Sequence, residues 1–326
     1  MPLMSDEPED ESSPWWQAPV TIVLLAWCAS LVLAGVTLAT FAAKLHWVFE
    51  LTCHFALQYA WAAAALLLAF SITRKKWGVL VAGLLLLIHG VPLVGVYFDG
   101  EHTPLSDHRP VRVLLANVHT ANTQHDELPL LIELEQPDVV LLIEVNSLWL
   151  EALDSLASTH PHAISIPRAD NFGIALFSRL PFVGASAIDL GAADVPSLEA
   201  HFDIDGSPLH IVLTHPVPPG AWGTRERDVQ LRHAAEHARG LGARTVLAGD
   251  LNITPWSPMF REMLTISGMR DSRKGFGVHP TWISQMPAAL RIPIDHVLTS
   301  PDIAVVDCRV GPHIGSDHRP LIVDVR

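Results

Sequence analysis

Three long runs of apolar residues in the first hundred positions constrain this chain more than any other feature. No Asp, Glu, Lys or Arg interrupts residues 18–40, 51–73 or 77–98. Each run reaches the roughly 20 apolar residues that a helix needs to cross a bilayer. Three runs in succession disfavour core helices of a soluble protein, and the acidic leader disfavours a cleaved signal peptide. The sequence predicts an acidic tail at 1–17 and a three-helix transmembrane anchor at 18–98.

Basic residues in the short loops predict the orientation of this anchor. Arg74, Lys75 and Lys76 lie between the second and third runs, which places that loop in the cytoplasm. The loop between the first two runs carries only Lys44 as an opposing basic residue. The N-terminus is then cytoplasmic, and the chain after the third run lies outside. We expect a multi-pass protein of the inner or plasma membrane whose large C-terminal part is extracytoplasmic.

Charge limits the class of substrate that the rest of the chain suits. From residue 101 onward there are 27 acidic and 17 basic residues, a net charge near −10 with histidine neutral. A protein that grips long duplexes usually presents a basic face, since phosphate neutralisation supplies most nonspecific affinity. The charge therefore disfavours a nuclease for long DNA. Cys308 is alone after the anchor, which excludes a disulfide within that part.

Residues 99–110 predict a linker, and residues 111–326 alternate predicted strands and helices. Short apolar or alternating runs predict strands at 111–116, 138–143, 173–177, 182–188, 198–204, 209–214, 245–248, 294–298, 303–310 and 321–325. Helical spacing predicts helices at 124–135, 147–157, 224–241 and 258–265. Asp205 and Gly206 predict a hairpin turn in the antiparallel middle section. The pattern predicts an α/β fold in which two sheets pack together between helices.

Polar side chains follow several of the predicted strands, where loops place functional groups. Glu144 comes after five apolar residues, and a carboxylate there suits a hard cation such as Mg²⁺. A strand end that faces solvent is the alternative. Asp250 and Asn252 are two residues apart, so an extended segment presents both on one side. Asp250 can orient or deprotonate water and Asn252 can bind a phosphoryl oxygen, with an Asx turn as the alternative.

Two Asp-His pairs complete the candidate chemistry. They are Asp295-His296 and, near the end of the chain, Asp317-His318 in Gly-Ser-Asp-His-Arg-Pro. A histidine that transfers protons needs a partner that fixes its tautomer and stabilises its cation. Asp295 is the candidate partner of His318, while Asp317 can face a metal. A surface turn is the alternative for either pair taken alone.

Together, in this order and spacing, these segments resemble the endonuclease/exonuclease/phosphatase superfamily, which is deoxyribonuclease I-like, in a membrane-anchored form of bacterial type. The resemblance implies a four-layered α/β sandwich of two packed mixed β-sheets flanked by helices. It implies phosphate-ester hydrolysis with a divalent cation, Mg²⁺ or alternatively Mn²⁺. The implied roles are metal binding by Glu144, Asn117 and Asp317, catalysis by Asp250, Asn252, His318, Asp295 and His215, and substrate binding by Asn252 and His215. His119 stands where several members carry an acidic residue, which leaves one or two metals open.

The sequence thus predicts a membrane-anchored, metal-dependent phosphoesterase that hydrolyses phosphodiesters or phosphomonoesters by in-line attack of water. Nucleic acid, a lipid headgroup and a small phosphoester all stay open as its substrate, and no protein partner is implied. The alternative is a noncatalytic membrane protein that uses the domain as a binding module. His233 and His237 share a helix at zinc-ligand spacing, but a solvated helix face is preferred for them.

Overall fold

The computed structural model describes residues 18–98, 109–191 and 193–326. The predicted tail at 1–17 and all but the end of the predicted linker lie outside these residues. The helices are α1 Ala18–Phe41, α2 Trp47–Leu51, α3 Ala56–Ile72, α4 Lys76–Phe98, α5 Glu127–Glu135, α6 Ser147–Ala152, α7 Gly223–Leu241 and α8 Pro258–Ser267. The strands are β1 Val111–Asn117, β2 Val139–Ile143, β3 His162–Ile166, β4 Ile174–Ser178, β5 Phe182–Ile188, β6 Ser197–Ile204, β7 Ser207–Thr214, β8 Thr245–Asp250, β9 Arg270–Asp271, β10 Asp295–Thr299, β11 Val305–Val310 and β12 Leu321–Val325.

The strands form two six-stranded sheets. Their orders are β11-β12-β1-β2-β4-β3 and β5-β6-β7-β8-β10-β9. In the first sheet β1 is parallel to β2 and antiparallel to β12. In the second sheet β8 is parallel to β7 and antiparallel to β10. Both sheets are therefore mixed. In the first sheet β1 lies between β12 and β2, and in the second sheet β8 lies between β7 and β10. The polar motifs lie at the ends of these strands.

Alternate residues of the central strands explain how the layers pack, since successive side chains of a strand point to opposite faces. Val113 and Leu115 of β1 lie in the core between the sheets, whereas Leu114 packs with the helices α5 and α6. Val246 of β8 also lies between the sheets, and Leu247 packs with α7 and α8. Each fully buried side chain of this size contributes about 1.5–3 kcal/mol. The order helix, sheet, sheet, helix confirms the predicted four-layered α/β sandwich.

The segments Thr21–Phe41, Trp47–Ile72 and Lys76–Phe98 are long and apolar enough to cross a membrane. Small and aromatic side chains such as Ala63 and Phe70 are fully buried where the helices meet. The outward side chains stay apolar, with Leu31 72% exposed. The second segment begins earlier than the predicted run, because the His46 side chain caps α2 by accepting a hydrogen bond from Val48 N. Glu50 therefore lies in a helix rather than in a loop.

One end of the helical anchor packs on the sandwich. Gln58 Nε2, in the first turn of α3, donates to the carbonyl oxygens of Ala289 at 3.1 Å and Arg291 at 3.0 Å. Near the end of α4, the carbonyl oxygen of Val96 accepts a 2.7 Å hydrogen bond from Gly275 N. The other end of α3 lies about 25 Å away, at 1.5 Å per helical residue. The start of α3 and the end of α4 therefore share the side of the anchor on which the domain packs.

Two strands lie outside the predicted set. The strand β3 alternates half-buried and exposed residues and pairs only with β4 at the edge of its sheet. The strand β9 has two residues. The predicted hairpin turn is confirmed, since Asp205 and Gly206 have φ values of 54° and 83°.

Candidate active site

The end of β8 fixes the position of Asp250. Gly249 has φ +156°, and a Cβ there would lie 1.8 Å from the carbonyl oxygen of Thr214, so only glycine allows β7 and β8 to approach here. Asp250 is buried, and its Oδ1 accepts a 3.0 Å hydrogen bond from Asn252 N. The Asx turn weighed against a catalytic role is therefore present. It occupies Oδ1 and leaves Oδ2 facing the other polar residues.

Sheet register brings the second carboxylate beside the first. Asp295 begins β10 and lies directly opposite Asp250 on the antiparallel strand β8. The Oδ2 atom of Asp295 is 2.8 Å from Nδ1 of His318, whose Nε2 is 3.6 Å from Oδ2 of Asp250. Ser316 positions the histidine by accepting a 3.0 Å hydrogen bond from His318 N. The imidazole thus lies between two buried carboxylates, which is not the geometry of a surface turn.

Burial and charge set the protonation states of this group. Burial acts to lower the pKa of His318, but Asp295 and Asp250 outweigh it and raise the pKa to about 10. Burial raises the pKa of Asp250 to about 7, although the charge of the nearby His318 acts to lower it. Burial and the charge of His318 lower the pKa of His215 to about 4. A protonated imidazole and a neutral one therefore face the same carboxylate at neutral pH.

The parallel strands β1 and β2 end at the same sheet edge and bring two predicted metal ligands together. Asn117 Nδ2 donates to Glu144 Oε1 at 2.8 Å and approaches Asp250 Oδ2 at 3.3 Å. Thr120 N donates to the other oxygen of Glu144 at 3.3 Å. Burial raises the pKa of Glu144. Glu144 therefore faces the site, and the alternative of a solvent-facing strand end does not describe it.

His215 and Asn252 also lie close to Asp250. His215 is buried just after β7, and its Nε2 is 3.7 Å from Asp250 Oδ2. Its ring centroid lies 5.4 Å from that of Phe172. Asn252 Nδ2 donates to the carbonyl oxygen of Pro216 at 2.9 Å, which fixes the orientation of its amide. Both side chains border the pocket that Asp250 enters.

Asp317 lies at the rim of the same pocket. Its Oδ2 accepts a 3.1 Å hydrogen bond from Trp282 Nε1. Its Oδ1 is buried without a hydrogen-bond donor among the described residues, and His119 Nδ1 is 3.8 Å away. The histidine that replaces an acidic residue is therefore next to a predicted metal ligand.

The residues of this site fit a divalent cation. Glu144, Asp250 and Asp317 border one pocket, and burial raises the pKa of the first two. Oxygen ligands of this kind suit a hard cation. One atom each of Asp250, Asp295 and His318 also lie within 4.8 Å of one another. His318 is hydrogen-bonded to Asp295, so the carboxylates on the Glu144 side are the better-suited ligands.

The apolar anchor also contributes to this pocket, which no sequence pattern predicted. Leu51, His54 and Phe55 line it together with the polar residues, around a cavity of about 650 Å³. His54 Nδ1 and Thr254 Oγ1 are 3.1 Å apart and connect the anchor to the segment after Asn252. In the sequence these three residues belong to an apolar run that indicates only a membrane span.

A loop between β3 and β4 is the second contribution that the sequence analysis missed. Asp170, Asn171 and Phe172 line the pocket. Asn171 has φ 68°, a left-handed conformation that asparagine tolerates better than most residues. The Asp-Asn-Phe-Gly segment is the signal that indicates such a turn.

The helical histidines considered for zinc have other partners. The ring of His237 is hydrogen-bonded to Glu199, and His233 Nδ1 lies 3.1 Å from the carbonyl oxygen of Leu190. Glu236 is exposed. The two histidines therefore bind separate partners and do not converge on one point with the neighbouring Glu236.

Comparison with known proteins agrees with the resemblance found in the sequence. Residues 114–318 match the sequence profile of the Endonuclease/Exonuclease/phosphatase family. No curated protein matches the chain.

Similar solved structures include D. rerio TDP2 complexed with single strand DNA product, with a TM-score of 0.57 and 17% identity over 67% of this chain and 99% of that one. The human Nocturnin catalytic domain with bound sulfate has a TM-score of 0.56 and 18% identity over 67% and 94% of the two chains. Sphingomyelinase C from Streptomyces griseocarneus has a TM-score of 0.50 and 17% identity over 66% and 99%. At these identities the likeness concerns the fold.

Proposed function

The chain belongs to the endonuclease/exonuclease/phosphatase family, whose members hydrolyse phosphate esters, and we propose that it is a membrane-anchored, divalent-metal-dependent phosphoesterase. The observation that carries the proposal is the group formed by Asp295, His318 and Asp250. Its contacts of 2.8 and 3.6 Å place a protonated imidazole next to a carboxylate with a raised pKa. Such a pair can transfer a proton and can stabilise the negative charge that develops on a phosphoryl group.

The reaction is an in-line attack of water on phosphorus. Asp250 Oδ2 aligns the water and accepts its proton, a role that a pKa near neutrality suits. The water oxygen bonds to phosphorus as the ester P–O bond breaks. His318 donates a hydrogen bond to a phosphate oxygen, while Asn252 and His215 contact the phosphoryl group from the other side. Positioning and electrostatics of this kind supply most of the rate in phosphoryl chemistry.

The proposed metal ligands are Glu144, Asp317 and Asn117, with Mg²⁺ as the preferred ion and Mn²⁺ as the alternative. Such a cation polarises a nonbridging phosphate oxygen when it is bound. Asn117 holds Glu144 in place and approaches Asp250, so it orients both carboxylates toward one point. Ser316 connects the end of β1 to the segment before His318, because its Oγ donates to the carbonyl oxygen of Asn117 at 2.7 Å.

We propose that residues 18–98 form the membrane anchor and residues 111–326 the catalytic domain. The packing of Gln58 and Val96 on the domain supports this arrangement, because three spans return the first loop and the domain to the same side. The basic cluster Arg74 to Lys76 assigns the opposite side to the cytoplasm. The domain is then extracytoplasmic, on the outer side of the inner or plasma membrane.

The test is hydrolysis by the full chain in detergent with and without Mg²⁺ or Mn²⁺. The substrates are bis(p-nitrophenyl) phosphate and p-nitrophenyl phosphate, which also distinguish diester from monoester activity. We expect metal-dependent turnover that His318→Ala lowers on the order of 10²- to 10⁴-fold, while the exposed-site control His233→Ala retains it. Full turnover in His318→Ala would contradict the site. A folded wild-type chain inactive with every metal would favour the binding module.

A further inference from the structure

We propose that the substrate is a phospholipid of the membrane that holds the chain, and that the anchor forms one wall of the pocket that receives it. The inference rests on the proposed phosphoesterase function and names its substrate class. It starts from the position of Leu51 and Phe55, which line the same cavity of about 650 Å³ as Asp250 and His318. A phosphate bound at His318 therefore lies beside the domain-facing end of the second predicted span.

Buried polar contacts hold this wall against the domain. Glu50 is 5% exposed, and its two carboxylate oxygens bind Arg227 Nη2 at 3.1 Å and Ser257 Oγ at 2.8 Å. His54 contacts Thr254 at 3.1 Å, on the segment that follows the catalytic loop. A buried charge pair with its remaining hydrogen bonds satisfied requires a defined geometry. The anchor is thus a fixed part of the pocket.

The pocket combines a polar floor with apolar walls. The apolar side chains along it are Leu51, Phe55, Phe172, Trp282, Ile292 and Ile294. Phe55 is 40% exposed although it lines a pocket. A small soluble phosphoester would leave these walls in contact with water, whereas the glycerol and first acyl carbons of a lipid would cover them. Each buried methylene contributes about 0.8 kcal/mol, which favours the lipid.

Exposed apolar residues also lie in the chain next to pocket residues. Trp222 is 90% exposed and follows the pocket residue Pro219 by three positions. Leu290 is 56% exposed and precedes the pocket residue Ile292 by two positions, in the segment that Gln58 binds. Tryptophan and leucine of this kind favour the interfacial region of a bilayer. The domain therefore exposes two large apolar side chains in segments that also supply pocket residues.

The charge of the pocket lining distinguishes a lipid substrate from a nucleic acid. Among the described residues that line the pocket, Glu144, Asp170, Asp250 and Asp317 are acidic and none is lysine or arginine. A nucleic-acid strand brings several phosphates and gains its affinity from basic side chains. A phospholipid brings a single phosphodiester, which one divalent cation can neutralise. The acidic lining is therefore compatible with a lipid headgroup and unfavourable for a polyanion.

The reaction needs no reactant beyond water. The water oxygen forms a bond to phosphorus, and one of the two ester P–O bonds of the headgroup breaks. The proton released by the water reaches the leaving oxygen through Asp250 and His318. The products are one alcohol and one phosphate monoester.

The experiment compares two aromatic residues of the anchor that differ in position alone. Phe55 and Phe49 are 40% and 39% exposed, but only Phe55 lines the pocket. The full chain and its Phe55→Ser and Phe49→Ser variants are assayed on three probes: phosphatidylethanolamine with phosphatidylglycerol in mixed detergent micelles, soluble bis(p-nitrophenyl) phosphate, and a single-stranded oligonucleotide. Mass spectrometry of the lipid products and absorbance of nitrophenol give kcat/KM for each.

We expect the wild-type chain to prefer lipid over both soluble probes. Phe55→Ser should lower the ratio of lipid to nitrophenyl activity about tenfold, since a phenyl group contributes roughly that much to binding of an apolar chain. Phe49→Ser should keep the wild-type ratio. Equal ratios in both variants, or faster cleavage of the oligonucleotide, would overturn the lipid proposal. Hydrolysis of the soluble diester without hydrolysis of the lipid would also overturn it, but would still support the phosphoesterase function. Absence of hydrolysis of all three probes would instead contradict the proposed function itself.

Discussion

Glu50 of the apolar anchor and Arg227 of the catalytic domain form a buried ion pair 3.1 Å long. Arg227 is fully buried, and its Nη1 donates to the carbonyl oxygen of Asn252 at 3.3 Å. One side chain therefore connects the short helix α2 to the segment that carries the proposed phosphate-binding asparagine. We therefore expect Glu50 to position the segment around Asn252.

Replacement of Glu50 should destabilise the chain and disturb the loop. In Glu50→Gln the charge of Arg227 loses one partner but keeps Asp228, whose Oδ1 is 2.7 Å away. The loss should therefore be about 2 kcal/mol, below the roughly 3–5 kcal/mol of a buried charge left alone. Thermal denaturation in detergent measures it, and kcat should fall with it. Glu262→Gln breaks the half-exposed pair with Arg232 and serves as the control, with a loss of no more than about 1 kcal/mol. Equal losses in the two variants would contradict the role of Glu50.

The proposed catalytic role of the Asp295–His318 pair is tested by Asp295→Asn. The amide keeps the size of the side chain but removes the charge that, against burial, raises the pKa of His318. We expect kcat to fall on the order of 10²-fold, with KM changing less. Asp307→Asn, on a half-exposed carboxylate of β11, should retain wild-type kcat. An unchanged kcat in Asp295→Asn would show that the 2.8 Å hydrogen bond has no part in turnover.

Metal binding should be visible without any substrate. A ligand that binds only the folded chain stabilises it, by about 2.7 kcal/mol at 100 times its Kd. Mg²⁺ or Mn²⁺ should therefore raise the melting temperature of the chelator-treated chain. Glu144→Gln should reduce this increase, because the amide is a weaker ligand than the carboxylate. A full increase in Glu144→Gln would place the ion elsewhere.

A buried histidine away from the site should make stability depend on pH. His160 is 1% exposed, and burial lowers its pKa in the folded chain. The unfolded chain then binds the proton more readily, so the contribution is complete above about pH 6.5 and is lost as pH falls toward the folded pKa. In His160→Gln the melting temperature should change less between pH 7 and pH 5 than in the wild type. A variant with the wild-type slope would assign the pH dependence to other groups.

Local patterns were sufficient for the central strands and for most polar residues of the site. The strands β1, β2 and β8 are buried on both faces along most of their length, so each contains a run of consecutive apolar residues. Gly249 directly precedes Asp250, and Gly315 and Ser316 precede His318, so both positions are marked by small residues in the sequence. The edge strand β3 was missed because His162–Ile166 is half-exposed and has no such run.

The apolar wall of the pocket could not be predicted in this way. Phe55 and Asp250 are almost two hundred positions apart, and their proximity comes from the packing of the anchor on the domain. An apolar residue in a membrane span carries no local sign that distinguishes lipid contact from pocket lining. Glu50 was visible as a charge between two spans, but its partner Arg227 was not.

The shared pocket also gives the order of synthesis a consequence. The N-terminal helices leave the ribosome first, so the segment that supplies Phe55 is made before β1. The sandwich then folds against a wall that already exists, and Arg227 gains its buried partner Glu50 there. A sandwich made without these helices would lack Leu51, His54 and Phe55 from its pocket. The pocket is therefore complete only when both parts of the chain have folded together.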